Sequence, residues 1–189
     1  AVCGFQEGQP TNTMLTFNND DYAAAWKTID SLEAQGLPKS AQEKVELLYQ
    51  RAVKDQNPSQ IIKTVIYRGK YLNQLEEDGL VKAIQLLTTE AETVSFPAQA
   101  ILQSMLAEAY YNYLNNNYWK FSDRTDTPNF KSADIQTWSI KQLSDEIRRL
   151  HLLAISNSRS QSILISDFSA ITIKGDNTDN LRPTLNDFL

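Results

Sequence analysis

The sequence predicts an all-α fold, a ladder of antiparallel helical hairpins. Three observations carry this. Between residues 20 and 156 the apolar positions recur at helical spacing. Pro or a small polar residue stands at the start of nearly every periodic run, and Gly or Asn stands near several ends. The links between runs are short, which favours antiparallel neighbours.

The first helix is expected to open at Asp20-Asp21, where two acids suit the positive end of the helix dipole. Its stripe is Tyr22, Ala25, Trp26, Ile29 and Leu32, and Gly36 followed by Pro38 closes it. Ser40 with Glu43 reads as a capping box for a second helix bearing Val45, Leu48, Tyr49 and Ala52. Pro58 fits the first turn of a third, with Ile62, Val65, Ile66, Gly69 and Leu72 on one face. Gly69 costs that helix roughly 1 kcal/mol against Ala, so a close neighbouring helix is expected there. Asp78 is positioned to cap a fourth helix with Leu80, Ala83, Ile84, Leu87, Ala91 and Val94. Pro97 opens a fifth, whose broad apolar face runs from Ile101 to Tyr113 and frays at residues 115–117. Ser139 caps a sixth with Ile140, Leu143, Ile147, Leu150 and Ala154.

Four of these helices start about 38 to 42 residues apart, close to the period of helix-turn-helix repeats. A tetratricopeptide-like stack of about six helices is the expected architecture, with a closed bundle as the alternative. Residues 1–19 read as a flexible arm with one anchor, Met14, Leu15 and Phe17. The helical domain is expected over 20–175. Within it, 163–173 forms either a small β-hairpin or an irregular cover. Residues 176–189 read as a linker followed by the truncated start of a next element, because Thr184–Leu189 resembles a capped helix that is cut short. The sequence begins at Ala1 without methionine, which suggests an excised or processed product.

Chemistry-bearing residues are scarce: there is one histidine, His151, and one cysteine, Cys3. His151 sits among leucines with no H-E-x-x-H partner and reads as structural. The carboxylates Glu76-Glu77-Asp78, Asp123 and Asp126 read as solvated acids and caps. Asp176–Asp179 lacks the Gly and terminal Glu of a calcium loop. No nucleophile elbow or phosphate loop appears. No catalytic residue, metal ligand or cofactor is therefore assigned. The net charge of −5 gives no reason to expect nucleic acid, and no apolar run is long enough to span a membrane. Cys3 is either a lipid-anchor cysteine or a passive thiol on the arm, with Val2 a poor fit to lipobox cleavage.

The unusual composition lies between Tyr110 and Trp138, which holds eight aromatic residues, with Arg124 among them. It is either a recognition surface, for which Tyr118, Trp119, Arg124 and Trp138 are the candidates, or a loop packing its own aromatics.

Several strings resemble one family. They include Asp30-Ser31-Leu32-Glu33, Gly36-Leu37-Pro38-Lys39-Ser40-Ala41, Ile66-Tyr67-Arg68 with Lys70-Tyr71-Leu72, and Phe96-Pro97-Ala98 with Met105-Leu106-Ala107-Glu108. Trp119-Lys120-Phe121, Asp134–Trp138, Leu181–Leu185 and Asp187-Phe188-Leu189 extend the match. Together these resemble the N-terminal region of large macroglobulin-like proteins of Gram-negative bacteria, in the alpha-2-macroglobulin family. The resemblance implies a helical module ahead of β-sandwich domains, in a cell-envelope protein that traps proteases after cleavage of a bait segment. Its implied partners are its own downstream macroglobulin domains and target proteases. Many members carry a Cys-to-Gln thioester. Cys3 and Gln6 have that separation but lack the Glu before the Gln, and no bait segment is seen. Two other classes compete with this reading: a lipid-anchored glycan-binding surface protein and a general tetratricopeptide-type adaptor.

Overall fold

The structure, a computed structural model, describes residues 22–122, 124, 132, 134–173 and 175–189, without the side chains of residues 178 and 179. The expected arm, its Met14–Phe17 anchor, Cys3, the Asp20-Asp21 opening, Asp123 and Asp126 lie outside the described residues. The fold is all-α, and among the described residues there is no strand.

The main helices are α1 (Ala23–Ala34), α2 (Pro38–Lys54), α3 (Pro58–Leu75), α4 (Gly79–Thr93), α5 (Ala98–Asn116) and α7 (Ile140–Ala154), with a single turn, α6 (Tyr118–Phe121), between the last two. Each main helix packs on the next in sequence, and α3 also reaches α5. The expected stripes form the core: Trp26, Ile29, Val45, Leu48, Ile62, Val65, Ile84, Ile101, Leu102, Leu143 and Leu150 are all buried. α5 is apolar on most sides because it packs against α3, α4 and α7. No helix among the described residues is long and apolar enough to cross a membrane.

The turns follow local chemistry. After α1, Gly36 takes φ +71° while its N–H bonds to Glu33 and that of Leu37 bonds to Leu32. These two bonds satisfy carbonyls that the helix end leaves open. The same pair closes α2, with Gln56 at φ 50°, its N–H on Val53 and the Asn57 N–H on Ala52. Asn57 then caps α3 by accepting from Gln60 N–H, and Pro58 is the first helical residue as expected.

Four local expectations are corrected. Ser40 does not cap α2: the helix begins two residues earlier at Pro38, whose fixed φ suits a first position, and Ser40 and Glu43 lie inside it. Pro38 thus starts a helix rather than only ending one. Asp78 is the residue before α4, but it sits in the left-handed region at φ 57° and its side chain caps nothing. The next residue sits tight against α3. A Cβ on Gly79 would lie 2.2 Å from the Leu72 carbonyl oxygen and 2.6 Å from Asn73 Cα, so α3 hands over to α4 in direct backbone contact. Finally, Ile66 and Leu80 are exposed rather than on the core face. Gly69 does face a neighbour, Ala83 of α4, but a methyl there would stand 3.7 Å from the Ala83 Cβ, an ordinary contact.

Ser139 caps α7 as expected, and the cap is reciprocal: Ser139 Oγ accepts from Gln142 N–H while Gln142 Oε1 accepts from Ser139 N–H. Beyond α7 the chain is an irregular cover, not a hairpin. Two 3-10 turns (Ser158–Ser162 and Ile165–Phe168) and one antiparallel bridge, Leu164 to Thr184, make it up. After a short α8 (Thr178–Leu181), α9 (Leu185–Phe188) opens on a Thr184–Asp187 capping box. The residues read as a cut-off helix pack against the domain, with Leu185 fully buried and Ser104 Oγ of α5 donating to the Leu189 carbonyl, while the described residues before Thr184 in that stretch are exposed.

Candidate functional site

The aromatic segment divides into a covered part and an open part. Tyr110 and Tyr113 leave α5 on its core side. Trp138 is only 5% exposed. Its ring lies 5.5 Å from that of Tyr110, and its indole N–H donates to the Ser132 carbonyl at 2.7 Å. Burying the ring while satisfying its one donor is what a core indole requires. Phe121 is buried and meets Tyr113 edge-on at 5.8 Å. Arg124 holds this packing together: its guanidinium stands 4.6 Å over Phe121 and donates to the carbonyls of Gln136 and Trp138.

Tyr118 and Trp119 take the opposite course. On the single turn of α6 they are 56% and 72% exposed, and Lys120 Nζ lies 5.3 Å from the Trp119 ring. Of the four predicted binding residues, then, Trp138 and Arg124 share one packed unit, while Tyr118 and Trp119 form an adjacent solvent-facing pair. The fifth candidate, Cys3, lies outside the described residues.

Beside Trp138 a cleft of about 540 Å³ runs between α4 and α7, with Thr88, Glu92, Tyr110, Trp138, Glu146 and Arg149 among its walls. Glu146 is buried and accepts two bonds from Arg149, 2.9 Å from Nε and 2.6 Å from Nη2. This bidentate pair neutralises the carboxylate inside the wall. Tyr110 titrates above its ordinary range, chiefly because it is buried. The cleft thus offers hydroxyl, amide and ion-pair groups over an aromatic floor.

His151 is exposed on α7, beside a separate apolar cleft of about 490 Å³ whose walls include Met105, Glu108 and Phe188. Among the described residues no group of three or more His, Cys, Asp or Glu side chains could hold a metal ion.

The polar links between helices lie elsewhere. Glu90 of α4 is 5% exposed. It accepts from Tyr49 Oη of α2 at 2.5 Å and from Arg68 Nη1 of α3 at 2.7 Å. Arg68 also pairs with Glu46 at 2.9 Å and stands 4.2 Å over the Tyr49 ring. Burial first, and then the Glu90 carboxylate, push the Tyr49 hydroxyl up to about 12. A second link joins α1 to α3: Glu33 accepts from Tyr71 Oη at 2.5 Å and from Lys70 Nζ at 2.6 Å. Burial alone would raise the Glu33 carboxyl, but these two donors outweigh it and hold it below its usual range. Sequence reading missed both links, since their members lie 22 to 41 residues apart with no local pattern joining them.

Compared with known proteins, the chain matches no protein-family model, no curated protein and no solved structure.

Proposed function

We propose that this chain is a non-catalytic helical interaction and spacer module of a macroglobulin-like, protease-trapping protein of the bacterial cell envelope, placed ahead of that protein's β-sandwich domains. The supporting observation is the run of family-like strings from Asp30 to Leu189, and the way its final part is tied to the helices. Leu185 N–H bonds to Ile163, Ile165 N–H bonds to Pro183, and Ser104 holds Leu189. A domain joined after Leu189 would inherit a fixed position on the helical body, as a spacer requires. Stacked hairpins of the tetratricopeptide kind would supply the rigid frame, and Tyr118 and Trp119 would supply the contact surface for protein. Side chains of this type carry much of the energy at protein interfaces.

The test is a pull-down of proteases by the full-length protein and by a variant lacking residues 20–156. Loss of capture in the variant supports the role. Undiminished capture removes it. Reading the coding sequence beyond Leu189 checks the placement: β-sandwich repeats support it, and an early stop overturns it.

One observation favours a second reading, a glycan-binding surface protein: the open Tyr118–Trp119 pair is a possible sugar platform. Burial of Trp138 removes the third flat ring that reading calls for. Tryptophan fluorescence in the presence of soluble oligosaccharides separates the two.

A further inference from the structure

At one end of the helical body the α2–α3 and α4–α5 connections meet around a cleft of about 540 Å³. This is within the range of small-ligand sites, which are typically apolar with a few placed polar groups. Its walls include Tyr49, Val53, Ile61, Phe96 and Pro97, and Arg159 closes one side from the 3-10 turn after α7. Among the described residues Arg159 is the only Lys, Arg, Asp or Glu in the wall. Its guanidinium stands 4.5 Å over the Phe96 ring, and it forms no ion pair with any described residue.

Among the described arginines Arg182, on the exposed stretch before Thr184, shares this lack of an ion pair. Arg51, Arg68, Arg148 and Arg149 each pair with a carboxylate, and Arg124 is taken up by two carbonyls. Glu90, the acid bonded to the wall residue Tyr49, is already neutralised by Arg68. The helix ends around the cleft offset one another: α3 and α5 begin there, while α2 and α4 end there. The sign of the site is therefore set by Arg159. A guanidinium with its fork open over an apolar wall suits a carboxylate, which it can grip through two parallel bonds.

We propose that this cleft binds a small amphipathic monocarboxylate, an aliphatic or aryl acid, with its apolar body between Val53, Ile61 and Phe96 and its carboxylate on Arg159. The reading is independent of the macroglobulin assignment. Octanoate, octanol and octylammonium are the probes, titrated into the whole chain by calorimetry, with methyl NMR shifts at Val53 and Ile61 fixing the location.

Octanoate is expected to bind at least about tenfold more tightly than octanol, with octylammonium weakest. Arg159→Gln changes an exposed side chain and is expected to bring octanoate down to the level of octanol. Ser95→Trp, at an exposed position in the wall, is expected to block all three. Equal affinities for octanoate and octanol overturn the proposal. So does an Arg159→Gln variant that keeps the preference, shifts confined to other methyl groups, or no binding of octanoate at millimolar concentration.

Discussion

The two halves of the helical body are held together by different means. From α1 to α4 the helices are joined by long-range polar links as well as by apolar stripes: Glu33 to Tyr71 and Lys70, Trp26 to Gln60 at 2.7 Å, and Glu90 to Tyr49 and Arg68. From α5 onward apolar and aromatic contacts dominate the joints, Leu102, Leu106, Tyr110 and Tyr113 against Phe121, Trp138, Leu143 and Leu150, with added polar bonds to backbone carbonyls from Arg124, Trp138 and Ser104. The polar half gains geometric specification, since a carboxylate with two donors accepts one arrangement. The aromatic half relies on buried rings and leucines. The consequence is unequal sensitivity. A single core truncation should hurt the second half most, and a single charge change should hurt the first.

The largest effects are expected from truncating the core of the second half, as in Leu143→Ala. Leu143 is fully buried on α7, in the joint with α5. Removing it loses the transfer energy of the side chain and leaves a cavity, about 3 kcal/mol together. Urea unfolding followed by circular dichroism reads this as a lower midpoint at unchanged slope. A loss below about 1 kcal/mol would mean that the aromatic half repacks freely, and the contrast between the halves would fall.

Glu90→Gln comes next, at about 2 kcal/mol. Breaking one member of a buried pair costs up to 3–5 kcal/mol because it strands the other charge, but Arg68 retains Glu46 here. The same network sets a pH dependence. Burial and the Glu90 carboxylate push the folded Tyr49 hydroxyl from its ordinary 10.0 up to about 12. A group whose folded value is raised contributes stability that is complete below the unfolded value and is lost as pH rises through the folded one. Alkaline destabilisation should therefore grow between pH 10 and 12, and Tyr49→Phe should reduce that slope. An unchanged slope in Tyr49→Phe would place the sensitive group elsewhere.

How far each half was legible follows from these differences. Apolar period is local information, so the stripes of α1 to α5 and α7 were readable, as were Pro58 and Ser139 at helix starts. Trp138 was readable as an aromatic but not as a buried one, because its partners Tyr110 and Ser132 come from separate elements. Glu33, Glu46 and Glu90 looked like any solvated acids, since a carboxylate's partner 22 to 41 residues away leaves no mark beside it. The start of α2 was misplaced because Pro38 fits both the end of one helix and the first turn of the next. Gly79 passed unnoticed because its need arises from the backbone of α3.

Two glycines on the α3–α4 seam sharpen the point. Gly69→Ala should stabilise by roughly 0.5–1 kcal/mol, since a helical Ala replaces Gly and its methyl meets Ala83 at an ordinary distance. Gly79→Ala should destabilise by about 1–3 kcal/mol, since its methyl drives into the end of α3 and backbone must shift. The two changes are chemically identical, so opposite signs in thermal unfolding would show that local backbone contact, not helix propensity, decides the seam. Equal signs would refute that.

The smallest expected effect on stability, and the sharpest on function, is Trp119→Ala. At 72% exposure the ring contributes little to the core, and surface substitutions of this kind stay within about ±0.5 kcal/mol. Trp138→Ala, at the far end of the segment, removes a buried ring with a satisfied N–H and should cost about 3 kcal/mol or more. The pair therefore divides the aromatic segment by role. If Tyr118 and Trp119 form the contact surface, Trp119→Ala lowers protein capture by the full-length molecule while its unfolding midpoint stays put. Trp138→Ala lowers the midpoint, and any capture it loses should return on cooling or with a stabilising osmolyte. A Trp119→Ala protein that captures its partners undiminished would leave the exposed pair without a binding role and return the segment to packing alone.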